Sequence, residues 1–242
     1  MPETSIQQET QSTWAICRDP VLLTMVGGAI DTIGFIALFG FFTAHVTGNL
    51  VLAGAALVKD GAGLWIKLAA IPLFIVTVVI TKLLIDRSQT KHKTLSYLFL
   101  FEAIFLFAFM VAGLYFEPFK NADSITVAIT GGIGLIALAI RNTSSKTLIK
   151  NISPSTMMTG NTTQLGIDIA NLLKNNNAAN RASFLKSASI VIGFVIGALL
   201  GAILYVYFDF WSVAPFILPI LYFSYLASQQ KFNQAWFEKI KN

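Results

Sequence analysis

Two short polar stretches interrupt an apolar chain at matching points. HVTGN covers His45–Asn49 and MMTGNTTQL covers Met157–Leu165. A further Gly follows each Thr-Gly-Asn at the same offset, giving Thr47, Gly48, Asn49 and Gly54 against Thr159, Gly160, Asn161 and Gly166. Thr and Asn side chains accept hydrogen bonds from free backbone N–H groups at a helix start. Gly permits a sharp turn or close approach of a ligand to the backbone. A helix that starts inside a bilayer turns its unpaired N–H groups, and the positive end of its dipole, toward whatever lies there. Two such starts facing each other favour an anion or a substrate carboxylate. The same residue types also serve plain capping of a packed helix.

Other polar groups accompany the tripeptides. Asn161, Gln164 and Asp168 fall on one helical face and suit the wall of a wet cavity, although Asp168 at the end of its tract also fits simple solvation. Asp31 lies within an apolar run between Gly28 and Gly34. An ionised carboxylate in hydrocarbon costs at least ~2.5 kcal/mol, so it functions, pairs or stays protonated. Arg141, at a broadly corresponding place in the second half, is its natural partner; Arg141 equally fits the interfacial end of a span. Glu102 reads as structural, snorkelling or pairing with Lys82. His45 suits a proton relay or an interfacial cap. The candidate substrate-binding set is therefore Thr47, Gly48, Asn49, Thr159, Gly160, Asn161 and Gln164. The candidate proton-coupling or ion-pair set is Asp31, Asp168, Arg141 and His45. No metal site, cofactor or catalytic residue is expected.

The elements that hold these residues can be read from composition. The chain has 242 residues, of which 12% are charged and 55% hydrophobic. Soluble domains carry roughly 25% charged residues, so the excess apolar surface calls for a bilayer. The single Cys excludes an intrachain disulfide. Residues 1–13 are polar and expected to be disordered, and they lack the basic cluster of a secretory signal. Six long apolar runs cover about 20–43, 64–86, 95–116, 124–141, 184–208 and 211–228. A span needs roughly 20 residues, which makes the fourth marginal. The tripeptide tracts 47–58 and 158–173, the second after a loop containing Pro154, are too short to cross at about 1.5 Å per residue.

Charge decides their topology. If both tracts dip in and return, fourteen Lys and Arg residues lie on one side and only Lys59, Lys67 and Lys120 on the other. If both tracts cross, the bias disappears. Cytoplasmic loops are the basic ones, so the expectation is six spans with both termini cytoplasmic. Trp and Tyr residues near the span ends fit an aromatic belt. The net charge of +5 reflects this topology rather than nucleic-acid binding.

Each half then reads span, short tract, span, span. Three spans per half is odd, so the halves are inverted. The predicted fold is an all-α integral membrane protein with six transmembrane helices and two half-membrane, re-entrant helices in a 3+3 inverted repeat. Its parts are a disordered cytoplasmic N-terminus (1–19), a first transmembrane repeat (20–116), an external linker (117–123), a second transmembrane repeat (124–228) and a cytoplasmic tail (229–242).

HVTGN, MMTGNTTQL and AIDTIGF around Asp31 resemble the YoaK-type family of bacterial membrane proteins of unknown function, over nearly the whole chain. The resemblance implies a six-span protein of the bacterial inner membrane and carries no substrate. Arg141-Asn142 stands where the resemblance leads one to expect Gln-Asn, so no role resting on that Gln transfers.

Gly193, Gly197 and Gly201 form a close-packing face suited to the repeat interface or to a homodimer. Zincin, nucleophile-elbow and Walker motifs are absent from the sequence, and a membrane enzyme using Asp31 and His45 has no further support. The leading expectation is a small permease for a small anion or carboxylate-bearing solute, with Asp31 or Asp168 titrating to couple a proton. A passive channel and a non-transport membrane scaffold or regulator are the alternatives. The expected partners are the lipid bilayer and the solute, with no nucleic acid.

Overall fold

The structure, a computed structural model, describes residues 13–59, 61–149 and 157–231. Residues 1–12, the Pro154 loop and most of the C-terminal tail fall outside those residues, whereas 13–19, expected to be part of a disordered N-terminus, form the first turns of a helix. The described chain is helical: α1 (Thr13–Ala37), α2 (Val46–Lys59), α3 (Leu64–Arg87), α4 (Lys91–Phe116), α5 (Ile125–Leu148), α6 (Met158–Lys174), α7 (Ala178–Phe208) and α8 (Ala214–Ser228), with a 3-10 turn at Asp209–Val213 before α8.

Five stretches are long and apolar enough to cross a bilayer: 17–37, 64–87, 91–116, 125–148 and 178–228. The last has 51 residues, or about 76 Å as one helix against a hydrocarbon layer of ~30 Å. It is folded in two. Asp209 adopts a positive φ of 47°, the 3-10 turn follows, and α8 returns antiparallel to α4, with Ser224 hydrogen-bonded to Ser96 at 2.8 Å. Large apolar side chains such as Ile75, Val79, Leu199 and Val206 stand exposed on α3 and α7. Soluble proteins rarely leave so much apolar surface bare, whereas a lipid-facing helix requires it.

Two parallel helix pairs join the two halves of the chain, alongside the packing of α4 on α5 and α8. α1 and α7 run parallel. Gly193 meets Val21 and Thr24, Gly197 meets Met25 and Gly201 meets Ala29, and Gly28 of α1 lies against Phe194 and Ala198 in return. A Cβ at Gly197 would come within 2.0 Å of the Met25 carbonyl oxygen. The glycine face is thus filled by α1 of the same chain. α3 and α5 are also parallel, starting side by side where Asp123 accepts from the Gly63 N–H at 2.9 Å and from Trp65 Nε1 through its carbonyl at 3.2 Å. α2 packs on α3, α6 on α7, and α4 on both α5 and α8. α1 and α5 start at opposite ends of the bundle, so the halves run in opposite senses.

Two boundaries differ from the sequence expectation. α1 stops at Ala37 rather than near residue 43, because Phe39 and Gly40 take left-handed φ values of 53° and 78° and turn the chain back. α5 is a full-length helix and not a marginal one. Its polar end RNTSSKTL stays within the helix, its Thr143, Ser144 and Thr147 hydroxyls satisfied by donating to carbonyls one turn back, at 2.8, 2.9 and 2.6 Å.

Candidate functional site

The doubled-back segment after Gly40 carries the first tripeptide into the bundle. Thr43 is buried beside Gly34 and Gly134. The Ala44 N–H donates to Asp31 Oδ1 at 2.6 Å, and His45 Nδ1 lies 2.6 Å from Asp31 Oδ2. α2 therefore starts beside Asp31, within the length of α1, and runs outward to the Gly63–Asp123 end. Gly28 and Gly34 flank Asp31 and admit α7 and the returning loop, respectively.

Asn49 does not cap α2. It is buried, its Oδ1 accepts from the Phe42 N–H at 2.8 Å and its Nδ2 donates to the Phe42 carbonyl at 2.7 Å. The amide thus clasps one residue of the loop, and the first N–H groups of α2 are left to other partners. At α6 the cap position is Met157, which gives no side-chain cap bond. Capping of the helix by its own tripeptide is therefore replaced by an Asn clasp in the first copy. Asn49→Leu removes both hydrogen bonds and strands the partly buried backbone groups of Phe42, an expected loss of about 1–3 kcal/mol. Thermal unfolding in detergent should show it, with Thr47→Val as a mild control.

The two helix starts open onto one cavity of about 500 Å³. Ala44, His45, Val46 and Thr47 border it on one side and Met157, Met158, Thr159 and Gly160 on the other. α3 contributes Phe74, Val78 and Lys82, and α5 contributes Asn142, Thr143, Lys146 and Thr147. α6 then runs antiparallel to α7, with Asp168 bonded to Ser183 and Asn180 to Asn171. The two short helices leave the cavity toward opposite ends of the bundle. Lys146 gives the lining positive charge, the ammonium of Lys82 is paired with Asp86 just outside it, and none of the lining residues is Asp or Glu. Sequence reasoning used Lys146 as a topology marker and Lys82 as a topology marker and a partner for Glu102, and placed neither at a site.

The remaining candidates lie elsewhere. Gly48 packs under the Phe42 ring and borders a second recess of about 430 Å³ with Asp31, His45 and Phe194. Asn161, Gln164 and Asp168 share a smaller pocket against α7. Arg141 is the main correction. It does not pair with Asp31, whose partner is His45, and it does not sit at the end of a span. It is fully buried within α5, forms an ion pair with Glu102 of α4, and donates from Nη1 to the Leu23 carbonyl of α1 at 2.5 Å. Glu102 likewise does not pair with Lys82, which pairs with Asp86 one turn on. Among the described residues no three His, Cys, Asp or Glu side chains gather to hold a metal.

The model of a family described as "Protein of unknown function (DUF1275)" matches residues 20–226. The chain is 29% identical over 189 residues to the UPF0700 transmembrane protein YoaK of Bacillus subtilis (strain 168), covering 75% of this chain and 80% of the relative. No solved structure matches. A helical bundle with a lipid-suited surface and a match over most of its length place this chain in the DUF1275 family of membrane proteins.

Proposed function

We propose that the protein is a small secondary transporter for a small anion or carboxylate-bearing solute, bound in the cavity between the two tripeptide helix starts. In this reading the chain crosses a bacterial inner membrane six times with both termini cytoplasmic. α2 and α6 are re-entrant half-helices that meet near the midplane. The observation that carries the reading is the cavity of about 500 Å³ bounded by two opposed helix starts and by Lys146, with Lys82 beside it held in an ion pair with Asp86. Helix N-termini and ammonium groups both favour negative charge, and more so away from bulk water. At 14 and 17 residues, α2 and α6 reach about 21 and 26 Å, short of a full crossing.

The Asp31–His45 pair stands at the start of α2 and is the group suited to couple a proton. It borders the cavity through His45 and the second recess through both residues. Proton entry onto the pair loosens its hold on the loop, which links protonation to the position of α2.

Gly160 provides a clean test, since it lines the cavity and a Cβ there meets no atom within 4 Å. Gly160→Leu should fill the cavity without loss of thermal stability. A panel of inorganic anions and short-chain carboxylates is screened by thermal shift and by uptake into proteoliposomes. The expected result is a response in the wild type that Gly160→Leu abolishes. A response that survives Gly160→Leu places the solute elsewhere, and an empty panel removes the anion assignment.

Asp31→Asn should keep solute exchange between equal pools yet lose accumulation driven by a pH gradient. Accumulation that persists in this variant removes the coupling role. Rapid electrogenic flux with no accumulation in the wild type is the result a passive channel gives.

A further inference from the structure

A third pocket, of about 170 Å³, lies between α6 and the start of α7 and shares no residue with the central cavity. Gln164, Asp168, Ser183, Lys186 and Ser187 line it. Asp168 is 3% exposed. Its Oδ1 accepts from Gln164 Nε2 and Ser183 Oγ, both at 3.0 Å. Its Oδ2 is buried and, among the described residues, has no hydrogen-bond partner. A buried carboxylate oxygen in that state is destabilising unless something positive meets it.

The donors of the wall are mostly committed. The Ser183 hydroxyl proton goes to Asp168, and the Ser187 hydroxyl donates to the Phe184 carbonyl at 3.2 Å. A serine has one proton and two lone pairs, so both hydroxyls turn acceptor oxygens to the pocket. Lys186 lines the same pocket, yet it is not among the ion pairs of the described residues. The site thus presents a buried anionic oxygen and hydroxyl lone pairs, with the Lys186 ammonium in its wall close enough to interact electrostatically with Asp168.

We infer that this pocket binds a monovalent hard cation of the sodium class, held by Asp168 Oδ2 and the Ser183 and Ser187 oxygens, with Lys186 as its built-in competitor. An all-oxygen donor set selects hard cations, and one carboxylate neutralises one positive charge. The volume accommodates an ion with some of its waters, at about 30 Å³ per water. The first half has no counterpart. The residues at the same offsets from its tripeptide are Leu52 and Ala56 in place of Gln164 and Asp168. The inference stands on the α6–α7 pocket alone, whatever solute the central cavity takes.

The test uses the full chain in nanodiscs with no solute added. Binding of radioactive sodium is measured, and thermal stability is compared in sodium chloride and choline chloride at equal ionic strength. Sodium should bind saturably and raise the melting temperature where choline does not. Asp168→Asn should abolish both effects. Ser183→Ala, which keeps the carboxylate and is the milder change, should weaken binding severalfold. Lys186→Met should lower the half-saturating sodium concentration about tenfold by removing a like charge from the pocket edge. Gly160→Leu should leave sodium binding unchanged. Equal behaviour in sodium and choline for both the wild type and Lys186→Met overturns the site, as does full sodium binding by Asp168→Asn. Unchanged saturation in Lys186→Met overturns the competitor role. Sodium binding intact beside an empty anion panel counts against the transport reading alone.

Discussion

Arg141→Ala should cost about 3–5 kcal/mol of stability, among the largest losses any single substitution in this chain can produce. The guanidinium is fully buried among α1, α4 and α5, and it is the charge partner of a fully buried Glu102. Truncation leaves that carboxylate without a counter-charge and frees the Leu23 carbonyl. Glu102→Ala should be comparably damaging, since it leaves the guanidinium alone. Removing both charges is different. Glu102→Leu combined with Arg141→Met replaces two desolvated ions by apolar groups, and such swaps are often neutral or better. The double variant should therefore recover most of the loss. Unfolding in detergent followed by tryptophan fluorescence tests this. A shift of about 10 °C is expected for each single variant, at roughly 2–4 °C per kcal/mol for a chain of this size. If the double variant is as unstable as either single one, the pair acts through packing and not through charge. Arg141 also has a bearing on function: it lies in the same helix as Asn142, Thr143 and Lys146, and the pair thereby fixes one wall of the cavity.

Gly197→Leu should open the seam between α1 and α7. A Cβ already meets the Met25 backbone within 2.0 Å, and the neighbouring positions are also tight, at 2.3 Å from Thr24 Oγ1 for Gly193 and 2.7 Å from Ala29 for Gly201. The obstacles are largely helix backbone, which cannot rotate aside, so the axes must separate. Overpacking of this kind costs typically about 1–3 kcal/mol and more when the backbone has to move; we expect the upper end or beyond. Gly166→Leu is the matched control. Gly166 has no atom within 4 Å of a Cβ, and the change should stay within about 0.5 kcal/mol. Loss of folded protein for Gly197→Leu but not for Gly166→Leu, measured by monodispersity on size exclusion after heating, is the expected outcome. Equal tolerance at both positions contradicts the sealed seam. Phe194, whose ring stands 5.6 Å from that of His45, ties this seam to the candidate site. Milder variants such as Gly201→Ala should therefore perturb the Asp31–His45 pair as well.

Much of this architecture is legible in the residues. The hydropathy runs locate the long helices, the doubled tripeptide locates the two short ones, and the small residues around Asp31 mark a place of close approach. Legibility fails where a local pattern depends on a distant partner. Arg141 followed by Asn-Thr-Ser-Ser looks like the polar end of a span. Back-bonding satisfies the hydroxyls of that segment inside the bundle, and Glu102, distant in sequence, makes the depth of Arg141 tolerable. The partner of Asp31 is equally hidden. His45 is close in sequence, but only the left-handed turn at Phe39 and Gly40 folds it back, and hydropathy does not register φ. The Asn clasp on Phe42 is hidden for the same reason: the tripeptide suggests a cap for the helix downstream, whereas Asn49 grips the loop upstream. A sequence reading takes Lys146 as a topology marker and Lys82 as that or as a partner for Glu102, and their convergence on one cavity depends on the parallel pairing of α3 with α5.

The seam between α1 and α7 also bears on how the chain is made. Its two faces are separated by more than half of the polypeptide. When α1 leaves the ribosome, the backbone around Val21, Met25 and Ala29 has no glycine face to receive it. It must wait in lipid while the intervening helices insert, and closing so long a loop is slow. The first half therefore cannot mature as a free-standing unit. A nascent chain arrested before Gly193 exposes the flank of α1 that a quality-control protease or a holding factor would meet, and assembly is complete only when the last pair of helices returns to it.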